Sequence, residues 1–262
     1  MPDWMIWMFA FVLGTLIGSF LNVCIYRWPA ELSVIRPRSR CPACSAAIAG
    51  YDNIPILSYL VLRGRCRHCG APISIQYPVI ELATGLIWLA AAIRFGVSVD
   101  AASSAIFLTL VLGIAMTDAK EMVIPDQFSL GGTVIGLGLA AIPGGMPLVD
   151  SIIGAAGAYL LFWLVKLGAE KLFRKPALGV GDIHMMAMVG AFLGIGGALL
   201  TILLGAVLGL VIGVPILMRR RGLQPLGSYM PLGTFLALGA AIAHGWGPVI
   251  IDWYLVRVLG VG

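Results

Sequence analysis

Four of the five cysteines form two pairs whose spacing is typical of a metal site. The pairs are Cys41-Pro-Ala-Cys44 and Cys66-Arg-His-Cys69, and 21 residues separate them. A Cys-x-x-Cys pair forms a tight turn that directs two thiolates at one ion, so two such pairs indicate a zinc site. Four sulfurs complete a tetrahedral shell, so we expect the Zn²⁺ to be structural rather than catalytic. The alternative is four reduced cysteines without a metal.

A second candidate site consists of acidic residues beside long apolar segments. Asp118 follows 17 uncharged residues, and Asp182 closes Gly-Val-Gly-Asp and opens another apolar segment. Two carboxylates that meet in a low-dielectric place can share one proton, which is the chemistry of an aspartic protease: one activates water and the other protonates a carbonyl oxygen. Gly179 and Gly181 would let a substrate strand approach closely. Asp126, eight residues after Asp118, is the second choice for the first catalytic carboxylate. Asp118 is preferred because Asp126 follows a proline and should be more solvated.

The composition indicates the environment in which these groups act. The chain has 262 residues, of which 60% are apolar and 11% charged, and its mean hydropathy is +0.99. Soluble domains are about half apolar and about a quarter charged, and disordered chains have low hydrophobicity. Both classes are excluded, so we expect the lipid bilayer as a partner. The net charge of +5 then concerns membrane topology and not nucleic acid, since the distribution of Lys and Arg sets orientation.

Long apolar segments, of which only Tyr77–Ile93 carries a charged residue, Glu81, predict an all-α polytopic membrane protein with about eight transmembrane helices. A span takes about 20 residues, so the segment Ile183–Met218 suffices for two helices if it turns at 193–197. The predicted spans are Trp4–Tyr26, Tyr77–Ile93, Ala101–Thr117, the first part of Gln127–Val149, Ser151–Val165, the two halves of Ile183–Met218, and Met230–Gly245.

The basic residues predict how these spans are oriented. Eight alternating spans place fifteen of the 17 Lys and Arg residues on one side, which the positive-inside rule assigns to the cytoplasm. Both termini then face away from the cytoplasm, whereas the cysteine pairs, Asp118 and Asp182 fall on the cytoplasmic side, where thiols stay reduced. Three parts follow: a first transmembrane helix (1–27), a zinc-binding cytoplasmic insert (28–77) and a membrane core with helices two to eight (78–262).

Together these motifs resemble the type IV prepilin peptidases, a family of membrane aspartic proteases with a Gly-x-Gly-Asp motif. The resemblance rests on Gly179–Asp182, on the block from Asp118 to Asp126 that ends in Pro-Asp, and on the double Cys-x-x-Cys insert. Further matching segments are Gly18–Arg27, Tyr51–Tyr59 and Gln76–Glu81. The matching segments extend over nearly the whole chain and are specific as a set.

The resemblance implies a bifunctional enzyme of the bacterial inner membrane. Such an enzyme cleaves the leader of type IV prepilins or type II secretion pseudopilins after a glycine at the cytoplasmic face. It then methylates the new N-terminal residue with S-adenosylmethionine. By motif, the catalytic pair is Asp118 and Asp182, and the association of methylation with the insert makes Asp52, Asn53 and Glu81 methyltransferase candidates. The sequence has no Gly-x-Gly-x-x-Gly loop for the methyl donor, so the methylation rests on the resemblance alone.

Three alternatives stay open at this stage. One is a peptidase without methyltransferase activity. Another is a proton-coupled transporter that uses intramembrane carboxylates as a relay, although these spans offer few polar residues for a path. In the third, Asp118 and Asp182 only cap helices or pair with Lys120 and Arg174, and Glu81 pairs with an arginine of the insert.

Overall fold

The regular structure of the chain is helical. The computed structural model describes residues 2–175, 178–216, 231–257 and 260. Its helices are α1 (Asp3–Arg27), α2 (Leu57–Val61), α3 (Gln76–Phe95), α4 (Val99–Glu121), α5 (Asp126–Ala140), α6 (Leu148–Phe173), α7 (Val180–Leu208) and α8 (Leu232–Arg257), with a short 3₁₀ helix at Gly50–Asn53. Over the described residues no strand forms, and only two isolated antiparallel bridges occur. The predicted all-α class is therefore confirmed.

Six helices are long and apolar enough to cross a membrane. They are α1, α3, α4, α6, α8 and the continuous helical segment Val180–Ile216 that contains α7. Of the remaining predicted spans, one corresponds to α5, whose 15 residues extend roughly 22 Å against a hydrocarbon core of about 30 Å. The other lies in the second half of Val180–Ile216. The protein is thus a multi-pass membrane protein, and the count of eight spans stays a prediction.

Segment Val180–Ile216 contains the break that the sequence predicts at 193–197. The break lies at Gly194, whose backbone angles, φ 67° and ψ −178°, are not helical. Glycine adopts such a positive φ without the steric cost that a β-carbon brings. The chain then resumes as a helix and continues through a π-helical turn, Gly209–Gly213, to the end of the segment.

The last helix is longer than the sequence predicts. It continues through Pro248 as far as Arg257, so the predicted end near Gly245 is wrong. Proline removes one backbone donor, but membrane helices tolerate it where neighbouring groups satisfy the freed carbonyl. The predicted start at Met230 lies outside the described residues.

The first of two compact units comprises residues 1–109, and in it α1 packs along α3. The helices approach so closely that a β-carbon at Gly18 would lie 2.8 Å from the Cα atom of Glu81. Across the same contact, the side-chain amide of Asn22 donates to the Tyr77 carbonyl at 3.1 Å. A small residue and an interhelical hydrogen bond are the usual means of packing helices in lipid.

The second unit comprises residues 110–262, and α7 is its central helix, packed against α5, α6 and α8. Helices α6 and α7 cross at Gly154 and Gly190, where a β-carbon on either glycine would overlap the backbone of the other helix. The hydroxyl of Ser151 donates to the Ala191 carbonyl at this crossing, at 2.6 Å. Lipid supplies no hydrophobic drive between helices, so such backbone-to-backbone packing holds α7 in place.

The crossing predicts how sensitive the second unit is to a single methyl group. Gly190→Ala should lower the thermal unfolding temperature in detergent, since overpacking costs about 1–3 kcal/mol. The matched control is Gly138→Ala, because among the described residues nothing lies within 4 Å of a β-carbon at Gly138. Equal unfolding temperatures for the two variants would contradict this packing.

Candidate active site and candidate metal centre

The carboxylate of Asp118 lies one turn before the end of α4. The helix ends because Met122 adopts a left-handed conformation, φ 54°, and donates its N–H to the Asp118 carbonyl at 3.0 Å. The Asp118 side chain is buried, and its Oδ2 accepts two hydrogen bonds from Thr234 at the start of α8: the N–H at 2.6 Å and the hydroxyl at 2.9 Å. Hydrogen bonds from α8 thus hold the Asp118 carboxylate of α4 in place.

The carboxylate of Asp182 lies in the first turn of α7. Gly179 precedes the helix in an extended conformation, and its N–H donates to the Asp182 side chain. The other oxygen, Oδ1, is buried and has no hydrogen-bond partner among the described residues. Leaving a buried acceptor unpaired costs about 1–3 kcal/mol, so this oxygen favours a polar group that enters the site.

The structure brings Asp118 and Asp182 together. Both lie near the side chain of Ile124, Asp182 through the preceding Gly181 and Asp118 through Gly233. The α4–α5 linker, residues 122–125, contributes Ile124, which lies against two glycines: a β-carbon on Gly181 would be 2.9 Å from Ile124 Cβ, and one on Gly233 would be 2.7 Å from Ile124 Cδ1. The β-carbon at Gly233 would also be 3.0 Å from Asp118 Oδ2. Two carboxylates in such a place can hold a single proton between them.

Asp126, the second choice for the earlier carboxylate, has a different partner. It begins α5, its side chain is 62% exposed, and its Oδ1 lies 2.8 Å from Nδ1 of His184. The ring of His184 stacks on that of Tyr159, with the centroids 6.2 Å apart. Residue spacing could not predict this pair, because 58 residues separate its members.

Three residues at the aspartate pair are absent from the sequence-based prediction: Ile124, Gly233 and Thr234. Thr234 bonds to Asp118 across 116 residues, a separation at which no local spacing rule applies. The one signal in the sequence is a Gly-Thr dipeptide at the start of an apolar segment, where small polar residues are also common for packing.

The four cysteines of the insert converge on one place in the first unit. The sulfurs of Cys41, Cys44, Cys66 and Cys69 all lie within 4.8 Å of one another, and those of Cys41 and Cys69 are 3.8 Å apart. A tetrahedral Zn²⁺ with Zn–S bonds of about 2.3 Å implies sulfurs about 3.8 Å apart. The cluster therefore has the dimensions of a tetrathiolate metal site.

Both cysteine pairs form the same backbone turn. The carbonyl of Cys41 accepts the N–H of Ser45 at 2.8 Å, and that of Cys66 accepts the N–H of Gly70 at 2.9 Å. Ser45 and Gly70 both have positive φ, 59° and 71°, which turns the chain back toward the sulfurs. The N–H of Cys44 lowers the pKa of the Cys41 thiol to about 6, and the N–H of Cys69 likewise lowers the pKa of Cys66. The first cysteine of each turn thus favours the thiolate, the form that binds a metal. Cys69 differs, because although the N–H of Ala71 lowers its pKa, hydrogen bonds among the sulfurs raise it to about 11.

The candidate Asp52 is tied to the second cysteine turn. Its carboxylate forms a bidentate pair with Arg67, with Nη2–Oδ1 at 2.6 Å and Nε–Oδ2 at 2.9 Å. The guanidinium also lies over the Tyr51 ring, 5.5 Å from its centroid. Hydrogen bonding to Arg67 holds the pKa of Asp52 below its usual value. Because Arg67 stands between Cys66 and Cys69, this pair connects the 3₁₀ helix to the metal centre.

The candidates Glu81 and Asn53 lie at two further places in the first unit. Glu81 is buried on α3 and accepts the backbone N–H of Ile56 at 2.7 Å, so a main-chain group rather than an arginine bonds to it. Ile56 has a φ of 61°, which is rare for a β-branched residue. Asn53 lines a cleft of about 500 Å³ between α1 and the insert, together with Ser19, Arg27, Arg38, Ser39 and apolar side chains.

Comparison with known families identifies both halves of the chain. Residues 12–95 match the Bacterial Peptidase A24 N-terminal domain, and residues 105–214 match the Type IV leader peptidase family. The first match contains the cysteine cluster and the second contains Asp118 and Asp182. No solved structure matches the chain.

Curated relatives agree with these matches. The chain is 33% identical to "Prepilin leader peptidase/N-methyltransferase" of Aeromonas hydrophila, over 98% of this chain and 96% of that protein. The same name belongs to a Myxococcus xanthus protein that is 41% identical over 80% of this chain but only 63% of its own length. A Neisseria gonorrhoeae protein of this name is 34% identical over 78% of this chain and 80% of its own length. The chain belongs to the Type IV leader peptidase family.

Proposed function

We propose that this protein is a bifunctional enzyme that removes the leader of type IV prepilins or type II secretion pseudopilins and then methylates the new N-terminus. The observation that carries the peptidase proposal is the meeting of Asp118 and Asp182 at one end of the second unit. The name of the relatives, prepilin leader peptidase/N-methyltransferase, supports both activities. Prepilin or pseudopilin is therefore the expected substrate.

In the proposed cleavage, the two aspartates share the proton transfers. One carboxylate takes a proton from a water molecule while the water oxygen attacks the scissile carbonyl carbon, and the other donates its proton to the carbonyl oxygen. When the tetrahedral intermediate collapses, the C–N bond breaks and the leaving nitrogen takes a proton from a carboxyl group. Thr234 keeps Asp118 in orientation through two hydrogen bonds. Gly181 leaves room for Ile124 beside the carboxylates, and Gly179, which precedes α7, would let a substrate strand approach.

The proposed location is the bacterial inner membrane, with the active site and the insert on the cytoplasmic side and both termini in the periplasm. This orientation rests on the positive-inside rule, because the insert and the loops on its side carry most of the Lys and Arg. The leader of a prepilin would then be cut on the cytoplasmic side of the membrane.

For methylation, S-adenosylmethionine supplies the methyl group when bound. The cleft between α1 and the insert suits a ligand of this kind, since small-molecule sites measure about 300–1,000 Å³ and combine apolar walls with a few polar groups. The Asn53 amide and the Arg38 guanidinium are the groups that would hold S-adenosylmethionine. The guanidinium would bind the carboxylate of the methyl donor. Asp52 orients the segment next to Asn53 through Arg67, and Glu81 holds the segment at Ile56.

We propose Zn²⁺ as the metal of the Cys41–Cys44–Cys66–Cys69 cluster. Four thiolates suit this ion and leave no position for a substrate, so its contribution is structural. An insert of about fifty residues is too small for a core of its own, and such segments fold around a metal or a disulfide.

The aspartate pair predicts the effect of two isosteric substitutions. Asp118→Asn and Asp182→Asn should each reduce cleavage of a purified prepilin in proteoliposomes by at least about a thousandfold, because asparagine keeps the size but cannot transfer the proton. Asp150→Asn, an exposed residue in the first turn of α6, is the matched control and should cleave normally. Unchanged thermal unfolding would establish that each variant is folded. A folded Asp118→Asn or Asp182→Asn that cuts within tenfold of wild type would disprove its catalytic role.

The metal centre predicts one zinc ion per chain by elemental analysis. Cys44→Ser and Cys69→Ser should each lower the zinc content and the unfolding temperature, because three thiolates bind less tightly than four. Cys24→Ala removes the fifth cysteine, which lies in α1, and should leave the zinc content unchanged. Full zinc content in both serine variants would show that the cluster is not the metal site.

The methyltransferase proposal predicts losses confined to one activity. Asp52→Asn, Asn53→Ala and Glu81→Gln should each reduce methylation of a pre-cleaved pilin at least tenfold while prepilin cleavage continues. Arg38→Ala should also weaken equilibrium binding of labelled S-adenosylmethionine, whereas Arg63→Ala, outside the cleft lining, should not. A wild-type protein that cleaves but never methylates would establish the peptidase-only alternative.

A further inference from the structure

The α4–α5 linker is held beside the aspartate pair by its packing. It begins with the left-handed residue Met122, and its Ile124 side chain fills the space between Gly181 of α7 and Gly233 of α8. Thr234, which follows Gly233, supplies both hydrogen bonds to Asp118. Any movement of Ile124 therefore changes the wall next to the donors that orient this carboxylate.

A polar contact outside the aspartate pair fastens the end of this linker. Asp126 directly follows the linker, and its Oδ1 lies 2.8 Å from Nδ1 of His184, which is two residues beyond Asp182 on α7. The contact thus joins the first turn of α5 to the second turn of α7. Tyr159 of α6 stacks on the imidazole with an interplanar angle of 11°, which fixes the plane of the ring.

The aspartate pair and the Asp126–His184 contact share the same two supports. The N-terminal end of α7 carries both Asp182, in its first turn, and His184, in its second, and the linker lies between Asp118 and Asp126 in the chain. Within the linker, Ile124 packs against Gly181 and Gly233. The carbonyl of Pro125 accepts the N–H groups of Phe128 and Ser129 in α5, so a shift of the start of α5 moves the linker with it. The linker is thus placed by a polar contact at one end and by the end of α4 at the other.

We infer that His184 and Asp126 are positioning residues of the peptidase: their hydrogen bond fastens the α4–α5 linker so that Ile124 stays between Gly181 and Gly233 beside the carboxylate pair. This inference rests on the proposed peptidase function. Neither residue touches the substrate in this role. Their loss should therefore lower kcat and leave KM nearly unchanged, because the orientation of the reacting groups and not substrate binding is disturbed.

The test compares disruptive and conservative variants in the full-length protein in proteoliposomes. His184→Ala and Asp126→Ala should each lower kcat for prepilin cleavage at least fivefold with KM within twofold. The double variant should be no worse than either single one, since both remove the same contact. His184→Asn should recover most of the rate, because its amide nitrogen can take the place of Nδ1. The matched control is Glu121→Ala, an exposed acidic residue at the end of α4, which should cleave normally.

Hydrogen exchange of the backbone amides in the peptide that spans 119–130 gives a readout that does not depend on activity. His184→Ala should exchange faster than wild type there, and His184→Asn should not. Unchanged exchange, an unchanged kcat, or additive losses in the double variant would each overturn the inference. A wild-type protein that does not cleave prepilin refutes the proposed function instead, and the exchange rates still decide whether the pair fastens the linker.

Discussion

A carboxylate buried in an apolar helix needs hydrogen-bond donors, and the second unit is arranged to supply them. The N–H groups near Asp118 are already used within α4, so its donors come from Thr234 on α8. The end of α4 and the start of α8 must therefore meet. Asp182 uses the N–H of Gly179 at its own helix terminus, where anionic groups are favoured. Among the described residues, one oxygen of this carboxylate has no hydrogen-bond partner, so it is available for chemistry.

Small residues allow these helix ends to converge. Gly154 and Gly190 bring α6 and α7 into backbone contact, which places the central helix, and Gly181 and Gly233 leave room for Ile124 at the aspartate pair. Glycine thus allows close packing along the helices and leaves room for the Ile124 side chain at their ends. The glycine content of this sequence is consequently a requirement of the site as well as of the membrane fold.

The sequence predicts those features that depend on local motifs. The all-α class, the cysteine cluster and the choice of Asp118 and Asp182 as partners came from short patterns and charge-free segments. The partners of Asp118 come from distant parts of the chain and have no local pattern. The predicted end of the last helix was wrong because the helix continues through Pro248. A proline would usually end a helix in water, but membrane helices tolerate it. Segment α5 is too short to count as a span by length, although it lies between two helices that do.

The cysteine cluster and the aspartate pair belong to different compact units of the chain. Within the first unit, Arg67 stands inside the second cysteine turn and holds Asp52 by two hydrogen bonds. The position of Asp52 thus depends on that turn being formed, and the proposed Zn²⁺ would hold the sulfurs of the turn. Asp118 is held instead by Thr234, within the other unit. A structural metal can therefore matter for methylation through Asp52 without taking part in cleavage.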